Sequence, residues 1–296
     1  MEFNFKSNSA YSYMRYGGYQ GRYKGKEYYI VPNPEASINI RDLYDMFSKM
    51  DSILVDLLNI GRICIDSEDD QTKFTCAYFF VEQYGLLGFM VEAPINADFL
   101  LNEEVTLKES NFINKNCVMR TKEYFDLFFP FAKDTEMNYT VTNGKVEIET
   151  NSDLQRMLNR TSLSNQLIYS SFYCEKIDWI IEYAKKMYKI FKKYVDLSNN
   201  SVNNYDEYKA RETISDYYFS GIPYKINMYG NTPEISWQPN SLKQAIDMAF
   251  WFMNPLRICK HCGKVFYAKN PKAEYDSSQC RNQANVYKSR NKNKAD

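Results

Sequence analysis

The chain has 296 residues but only one histidine, His261, and no glycine-rich phosphate-binding loop. A single histidine excludes a multi-histidine metal centre, and it leaves Ser-His-Asp or Cys-His catalysis only if His261 itself serves. The longest apolar stretch, 78–91, contains Glu82 and Gln83 and is shorter than the roughly 20 residues of a bilayer span. The chain does not open with a basic segment followed by an apolar one, as a secretory signal would. We therefore expect a soluble, cytoplasmic protein without a membrane partner.

The composition is that of an ordinary globular protein with no net charge. Basic and acidic side chains number 37 each, and 44% of the residues are hydrophobic, which excludes general disorder. A run of carboxylates could hold magnesium for nuclease chemistry; it comprises Asp66, Glu68, Asp69 and Asp70. Acidic residues are also typical of the first turn of a helix, where free amides carry partial positive charge. The sequence therefore favours a protein that is not an enzyme, without excluding one.

The hydrophobic periodicity predicts an α+β fold, with a mainly helical body and short β-hairpins. We expect helices near 40–60, 70–86, 173–195 and 241–254, the last opened by a capping box at Ser241. Hairpins are expected at 11–31, 138–149 and 223–238, and the second contains an Asn-Gly turn. We divide the chain into a helix-rich α+β N-terminal domain, 1–240, and a C-terminal part, 241–296, with an apolar helix followed by a cysteine-containing segment and a basic tail.

The N-terminal hairpin mixes tyrosines with basic residues. Such interleaving can form a surface that stacks on bases and contacts phosphates; the residues in question are Tyr16, Tyr19, Arg22 and Tyr23. The alternative is that the tyrosines pack against the protein itself in a hairpin that turns near Lys24-Gly25. We favour the structural explanation.

Three of the seven cysteines are crowded near the C-terminus at positions suited to a metal. Cys259 and Cys262 form a Cys-x-x-Cys-Gly knuckle, in which a tight turn brings two thiolates to one ion. A helix should start after Tyr275, which places positions 276 and 280 one turn apart on the same face. The predicted ligands are Cys259, Cys262, Asp276 and Cys280, around one structural Zn²⁺.

The role of Asp276 leaves three alternatives open. Its carboxylate can complete a Cys₃Asp site, since oxygen is an acceptable zinc ligand. Instead, Asp276 can be only the N-cap of the helix, with Gln279 as its capping partner, while His261 or water completes the metal shell. The third alternative is a degenerate site without metal. We expect His261 to point away from the ion, at the surface.

This C-terminal segment resembles the CGNR-type zinc finger of bacterial proteins over roughly 220–292. The matching residues, in order, are Cys259, Cys262, Gly263, Phe266, Tyr275, Ser277, Cys280, Arg281 and Asn282. Two positions depart from that pattern: Asp276 replaces the third cysteine, and Gln283 stands where arginine is usual. The resemblance implies a treble-clef-like zinc finger in a DNA-binding transcriptional regulator.

Charge asymmetry supports contact with nucleic acid independently of that resemblance. Residues 255–296 carry ten basic and three acidic side chains, whereas the rest of the chain is acidic. A compact basic segment of this kind indicates phosphate binding, and we assign it to Arg281, Asn282, Lys288, Arg290, Lys292 and Lys294. The predicted partner is DNA, with a homodimer as a further expectation. The alternative is an RNA-binding or protein-interaction factor of a mobile element or defence system.

Overall fold

The computed structural model describes residues 12–13, 15–33, 44–45, 48–92, 104–106, 118–132, 139–142, 145–148, 168, 172–198, 204–215, 224–229, 232–237, 239–252, 256–270 and 272–292. These residues form a mixed structure that is mostly helical, with small antiparallel sheets. Within these ranges, no helix combines the length and the apolar character that crossing a membrane requires. The mixed class predicted from the periodicity is confirmed at this level.

The helices are α1 (Met50–Asp66), α2 (Asp70–Tyr84), α3 (Thr121–Phe128), α4 (Ile177–Ser198), α5 (Asn204–Ser215), α6 (Leu242–Phe252) and α7 (Ser278–Lys292). The strands are β1 (Ser12–Tyr13), β2 (Tyr19–Lys24), β3 (Glu27–Pro32), β4 (Tyr44–Asp45), β5 (Glu104–Thr106), β6 (Val118–Arg120), β7 (Tyr139–Thr142), β8 (Lys145–Ile148), β9 (Glu175–Lys176), β10 (Tyr224–Tyr229), β11 (Thr232–Trp237), β12 (Leu256–Ile258) and β13 (Val265–Tyr267). A 3₁₀ turn spans Phe89–Glu92.

The three predicted hairpins are confirmed as the pairs β2–β3, β7–β8 and β10–β11. Gly25 turns the first of them with a φ of 64°, a left-handed conformation that glycine adopts without strain. The helix expected at 241–254 is also confirmed as α6. Ser241 Oγ accepts a hydrogen bond of 3.1 Å from the Gln244 N–H, as expected of a capping residue.

Two predicted helices are wrong at their starts, because the preceding residues pair as strands. The helix expected from residue 40 begins at Met50, and Tyr44–Asp45 instead pairs with β1. The helix expected from residue 173 begins at Ile177, because Glu175–Lys176 adds a third strand to the β2–β3 hairpin. In both places residues with helical apolar spacing are close by, but pairing with a distant strand determines the conformation of the strand residues.

The chain divides into two compact units, each made of three segments. The first comprises Met1–Phe47, Tyr78–Ile180 and Phe219–Ala245, and the second comprises Ser48–Ala77, Ile181–Tyr218 and Ile246–Asp296. Both units contain residues from either side of position 240, and the domain boundary proposed there stays a prediction.

The first unit contains the β2–β3–β9 sheet and a buried carboxylate. Tyr29, Val31 and Cys174 form a buried apolar cluster on this sheet. Glu175, in β9, is fully buried and accepts hydrogen bonds from the backbone N–H groups of 87–89. The Tyr173 hydroxyl donates to the same carboxylate over 2.8 Å. This side chain therefore holds the glycine-containing segment after α2 against β9.

The second unit contains α1 and the cysteine-rich tail. One face of α1 is fully buried through Ile53, Leu54, Leu57 and Leu58. Gly61 lies on this helix so close to α4 that a Cβ atom there would be 2.1 Å from the Ala184 carbonyl oxygen. The absence of a side chain at Gly61 is thus what allows the two helices to approach.

Candidate metal centre and basic helix

A tight turn between β12 and β13 carries the first two cysteines. The Cys259 N–H donates to the Lys264 carbonyl over 2.8 Å, and the Gly263 N–H donates to the Cys259 carbonyl over 3.0 Å. Gly263 has a φ of 73°, which a residue with a Cβ adopts only with strain. The Cys-x-x-Cys-Gly spacing therefore produces the turn that we predicted from it, and both thiols emerge from this turn.

The start of α7 carries the other two candidate ligands. Ser277 is the N-cap, because its Oγ accepts a 3.2 Å hydrogen bond from the Cys280 N–H. The same hydroxyl donates to Asp276 Oδ1 over 3.2 Å. The alternative in which Asp276 caps this helix with Gln279 is therefore wrong: the adjacent serine takes that place, and the Asp276 carboxylate lies against the sulfurs.

The four side chains come together as one group. Their ligand atoms, from Cys259, Cys262, Asp276 and Cys280, all lie within 4.8 Å of one another. Cys259 Sγ is 3.4 Å from Asp276 Oδ1, and Cys262 Sγ is 3.9 Å from Asp276 Oδ2. A tetrahedral ion with Zn–S bonds of about 2.3 Å and a Zn–O bond of about 2.0 Å has ligand atoms about 3.5–3.8 Å apart. The group is close enough to hold a metal ion.

The protonation of the thiols reflects this crowding. Burial alone would raise the pKa of the Cys259 thiol, but backbone N–H groups that donate to its sulfur, chiefly that of Cys262, hold the pKa below its ordinary value. The Cys280 thiol differs, because its hydrogen bond to the Asp276 carboxylate raises its pKa to about 12. The same bond lowers the pKa of Asp276. A metal ion would replace the proton that Cys280 and Asp276 share, since thiolate is the form that binds metal.

His261 lies inside the knuckle but points towards α7. Its Nε2 is 2.9 Å from Gln283 Oε1, and its ring stacks on that of Tyr287 with centroids 5.8 Å apart. It does not belong to the group of candidate ligands. The expectation that His261 points away from the candidate metal position is confirmed. The histidine instead links the knuckle to α7 through its contacts with Gln283 and Tyr287.

Two further contacts position the centre, and the sequence analysis missed both. The Asn59 carboxamide, on α1, donates to the Val265 carbonyl and accepts from the Val265 N–H, each over 2.9 Å. Lys260 forms an ion pair with Glu274 and also donates its N–H to the Glu274 carbonyl. An asparagine in the middle of an apolar helix was the one sequence signal for the first contact.

The residues assigned to nucleic acid lie on α7 where the structure describes them. Arg281, Asn282, Lys288 and Arg290 are exposed. Lys292 is the last residue of the helix, and Lys294 lies outside the described residues. The helix has four basic residues and no acidic residue. Its exposed surface is therefore positively charged.

The aromatic and basic residues of the N-terminal hairpin contact the protein itself. Tyr19 is buried, and the Arg22 guanidinium lies 4.1 Å from the centroid of the Phe131 ring. Tyr23 is exposed and lies against Tyr28, with ring centroids 4.6 Å apart. The hairpin is therefore confirmed, with Tyr19 packed in the protein, whereas Arg22 and Tyr23 are exposed.

The end of the acidic run, Asp69 and Asp70, lies at the start of α2, whereas Asp66 is the last residue of α1. The Asp69 carboxylate accepts hydrogen bonds from the N–H groups of Gln71 and Thr72, which caps α2. The Thr72 hydroxyl also donates to this carboxylate. Its hydrogen bond lowers the pKa of Asp69 most, and the hydrogen bonds from the two N–H groups lower it further. Among the residues that the structure describes, this run does not gather into a group that could hold a metal. The helix-start interpretation is therefore confirmed for Asp69 and Asp70, and Asp66 instead pairs with Arg62 at the end of α1.

Comparison of the chain with protein-family models, with curated proteins and with solved structures finds no match. The functional assignment therefore depends on the geometry and charge of the C-terminal segment.

Proposed function

We propose that the chain is a cytoplasmic, DNA-binding transcriptional regulator whose C-terminal segment is a treble-clef-like zinc finger. The observation that carries this proposal is the cluster of three sulfurs and one carboxylate at the first turn of an exposed basic helix. In this proposal the knuckle supplies Cys259 and Cys262, and α7 supplies Cys280 together with the adjacent Asp276. The homodimer expected from the sequence stays a prediction.

The ion in this proposal is structural. Three thiolates and a carboxylate fill the four positions of a tetrahedral Zn²⁺ and leave none open for a substrate. The protein residues fix the geometry: Ser277 caps α7 and holds Asp276, while the backbone amides at the knuckle stabilise the Cys259 sulfur. The consequence is that α7 is fixed at its N-terminal end, with its remaining length extending away from the centre.

The charge of the segment supports a polyanionic partner. Residues 256–270 and 272–292 contain nine basic and two acidic side chains. Three thiolates and a divalent cation together add only one negative charge, so the segment stays strongly positive when metal is bound. Lys and Arg on such a surface contact phosphates and release counterions, which makes the affinity depend on salt.

The alternative is an RNA-binding or protein-interaction factor without catalysis. It would use the N-terminal hairpin together with the basic helix, but Tyr19 is buried and Arg22 lies on Phe131. Only Tyr23 of the four hairpin residues presents a largely exposed ring, at 66%. DNA binding through α7 is therefore the better supported function.

The proposal is tested by fluorescence anisotropy of the full chain with a 20-base-pair duplex DNA of random sequence. We expect binding that weakens steeply with salt and that is lost in Cys280→Ser, because α7 is no longer fixed to the knuckle. Cys76→Ser, a half-buried cysteine on α2 outside the cluster, is the matched control and should bind as the wild type does. Equal binding by the wild type and Cys280→Ser would contradict the role of the metal, and absence of binding by the wild type would contradict the function.

A further inference from the structure

We propose that α7 enters the major groove of B-form duplex DNA and that Asn282 is its base-reading residue; this inference rests on the proposed function. The geometry of α7 supplies the first step. Consecutive residues of a helix are about 100° apart around its axis. One side of α7 is occupied: Cys280 belongs to the metal cluster, and Gln283 and Tyr287 contact His261. The opposite side of the helix is the side that can face a partner.

Asn282 lies on that opposite side, within about 50° of its middle. It is two residues from both Cys280 and Ala284, which places it about 160° from each around the helix axis. Within 278–290, where the burial of α7 is described, Cys280 and Ala284 are the half-buried positions, whereas Asn282 is exposed. The carboxamide of Asn282 therefore projects from an exposed face of α7, opposite its half-buried positions, and this is the face that would enter a groove.

Cations lie on both flanks of Asn282. Arg281 and Lys288, which are seven residues apart, point within about 20° of each other on one flank of Asn282. Arg290 lies on the other flank, about 80° from Asn282 around the helix axis. All three are exposed. A helix in the major groove has a phosphate strand on each side of it, so cations on both flanks with an uncharged donor and acceptor between them match that surface.

The dimensions fit duplex DNA and not duplex RNA. The 15 residues of α7 extend about 22 Å, and a helix with its side chains is about 10–12 Å across. The major groove of B-form DNA is about 12 Å wide and admits a helix, whereas the major groove of A-form RNA is deep and too narrow for side chains to read. Asparagine pairs with adenine through two hydrogen bonds, to N7 and from N6. The expected preference is therefore for adenine at one position of the DNA site.

The test is selection of a randomised 20-base-pair duplex DNA pool by the zinc-loaded full chain, followed by sequencing. We expect the wild type to enrich a short motif with one fixed adenine, and Asn282→Ala to lose the preference at that position alone. On the selected sequence, Asn282→Ala should bind about 5- to 100-fold more weakly. Its affinity for random DNA should change less than about twofold, because phosphate contacts dominate that binding.

Lys288→Ala separates phosphate contact from base reading. It should weaken binding to all sequences and reduce the salt slope by about one, with the motif unchanged. Lys189→Ala, an exposed lysine on α4, is the matched control and should leave both quantities unchanged. An Asn282→Ala motif identical to that of the wild type, or equal affinity for a 20-base-pair RNA duplex, would overturn this inference while the nucleic-acid-binding function remained. Failure of the wild type to bind any duplex would overturn both.

Discussion

The side chain of Asn59 pairs with the backbone of Val265, 206 residues further along the chain, as a neighbouring strand would. Val265 belongs to the short strand that follows the cysteine knuckle, and its side chain is buried. The Asn59 carboxamide also donates to the Val55 carbonyl, one turn earlier on α1, over 2.9 Å. The cysteine knuckle is therefore attached to α1, a largely buried helix of its unit, so metal binding at the knuckle should be linked to the stability of α1.

Replacement of Asn59 tests this attachment. Asn59→Ala leaves the buried N–H and carbonyl of Val265 without these partners, which should lower the free energy of unfolding by about 1–3 kcal/mol. Because the knuckle is then less firmly held, we also expect weaker zinc binding. Urea unfolding and chelator competition measure the two effects. An exposed asparagine of α7 provides the control, since Asn282→Ala should unfold as the wild type does. A wild-type unfolding curve for Asn59→Ala would mean that the pairing contributes nothing.

Exchange of the oxygen ligand tests the position of Asp276. Asp276→Cys supplies a fourth thiolate, which is a softer and stronger ligand for zinc. Substitution of residues that only hydrogen-bond to metal ligands alters metal affinity by about 10- to 100-fold. Replacement of a direct ligand should therefore shift the affinity by at least about 10-fold. Competition with a chromophoric chelator measures this affinity, and Asp276→Asn should change it in the opposite direction. Identical competition curves for all three proteins would place Asp276 outside the metal shell.

The buried carboxylate of the first unit should be sensitive to substitution. In Glu175→Gln an amide NH₂ group would face backbone N–H groups that now donate to the carboxylate, among them those of Leu87 and Phe89 at 2.9 and 3.1 Å. We expect a loss of about 1–3 kcal/mol in the free energy of unfolding. Glu182→Gln, at an exposed site on α4, should change it by less than about 0.5 kcal/mol.

The same comparison has a defined pH dependence. Burial raises the pKa of Glu175 above its ordinary value of 4.5. A group whose pKa is raised in the folded protein contributes stability that is complete below the unfolded pKa and is lost as the pH rises through the folded pKa. The difference between the wild type and Glu175→Gln should therefore shrink as the pH rises from 5 to 8 in urea unfolding series. A difference that stays constant over this range would contradict a raised pKa of Glu175, because a lowered pKa would confine the pH dependence to pH values below about 4.5.

Replacing Gly61 by alanine should change the stability of the protein in the direction opposite to that usual for a glycine inside a helix. Replacing glycine by alanine inside a helix ordinarily stabilises it by about 0.5–1 kcal/mol. A Cβ atom at Gly61 would meet the Ala184 carbonyl oxygen at 2.1 Å, so Gly61→Ala should instead destabilise the protein by about 1–3 kcal/mol, as overpacking does. Gly18→Ala is the control, because the nearest atom to a Cβ there is 3.9 Å away. Thermal melting of both variants checks the sign.

The part of the site that sequence could predict is the part that is local. Cys-x-x-Cys-Gly defines its own turn, and one helical turn separates Asp276 from Cys280, so the cluster follows from short spacings. The sequence could not predict whether Asp276 or Ser277 is the N-cap of α7, because the two residues are adjacent and both are good N-caps. The contact of the Asp276 carboxylate with the cysteine sulfurs decides between the two residues, and no local sequence pattern describes that contact.

The parts of the fold that sequence could not predict depend on distant partners. Tyr44–Asp45 and Glu175–Lys176 lie next to apolar residues with helical spacing, yet each pairs with a strand more than thirty residues earlier. Asn59 likewise meets Val265 only once the chain has folded. Such contacts depend on tertiary structure, which overrides local propensity.

The most direct test of the central claim is zinc K-edge X-ray absorption on the full chain, purified without added metal and combined with its metal content. The account predicts one zinc per chain, with three sulfur atoms at about 2.3 Å and one oxygen at about 2.0 Å. Protein that contains no zinc, or a zinc shell without sulfur, would contradict it.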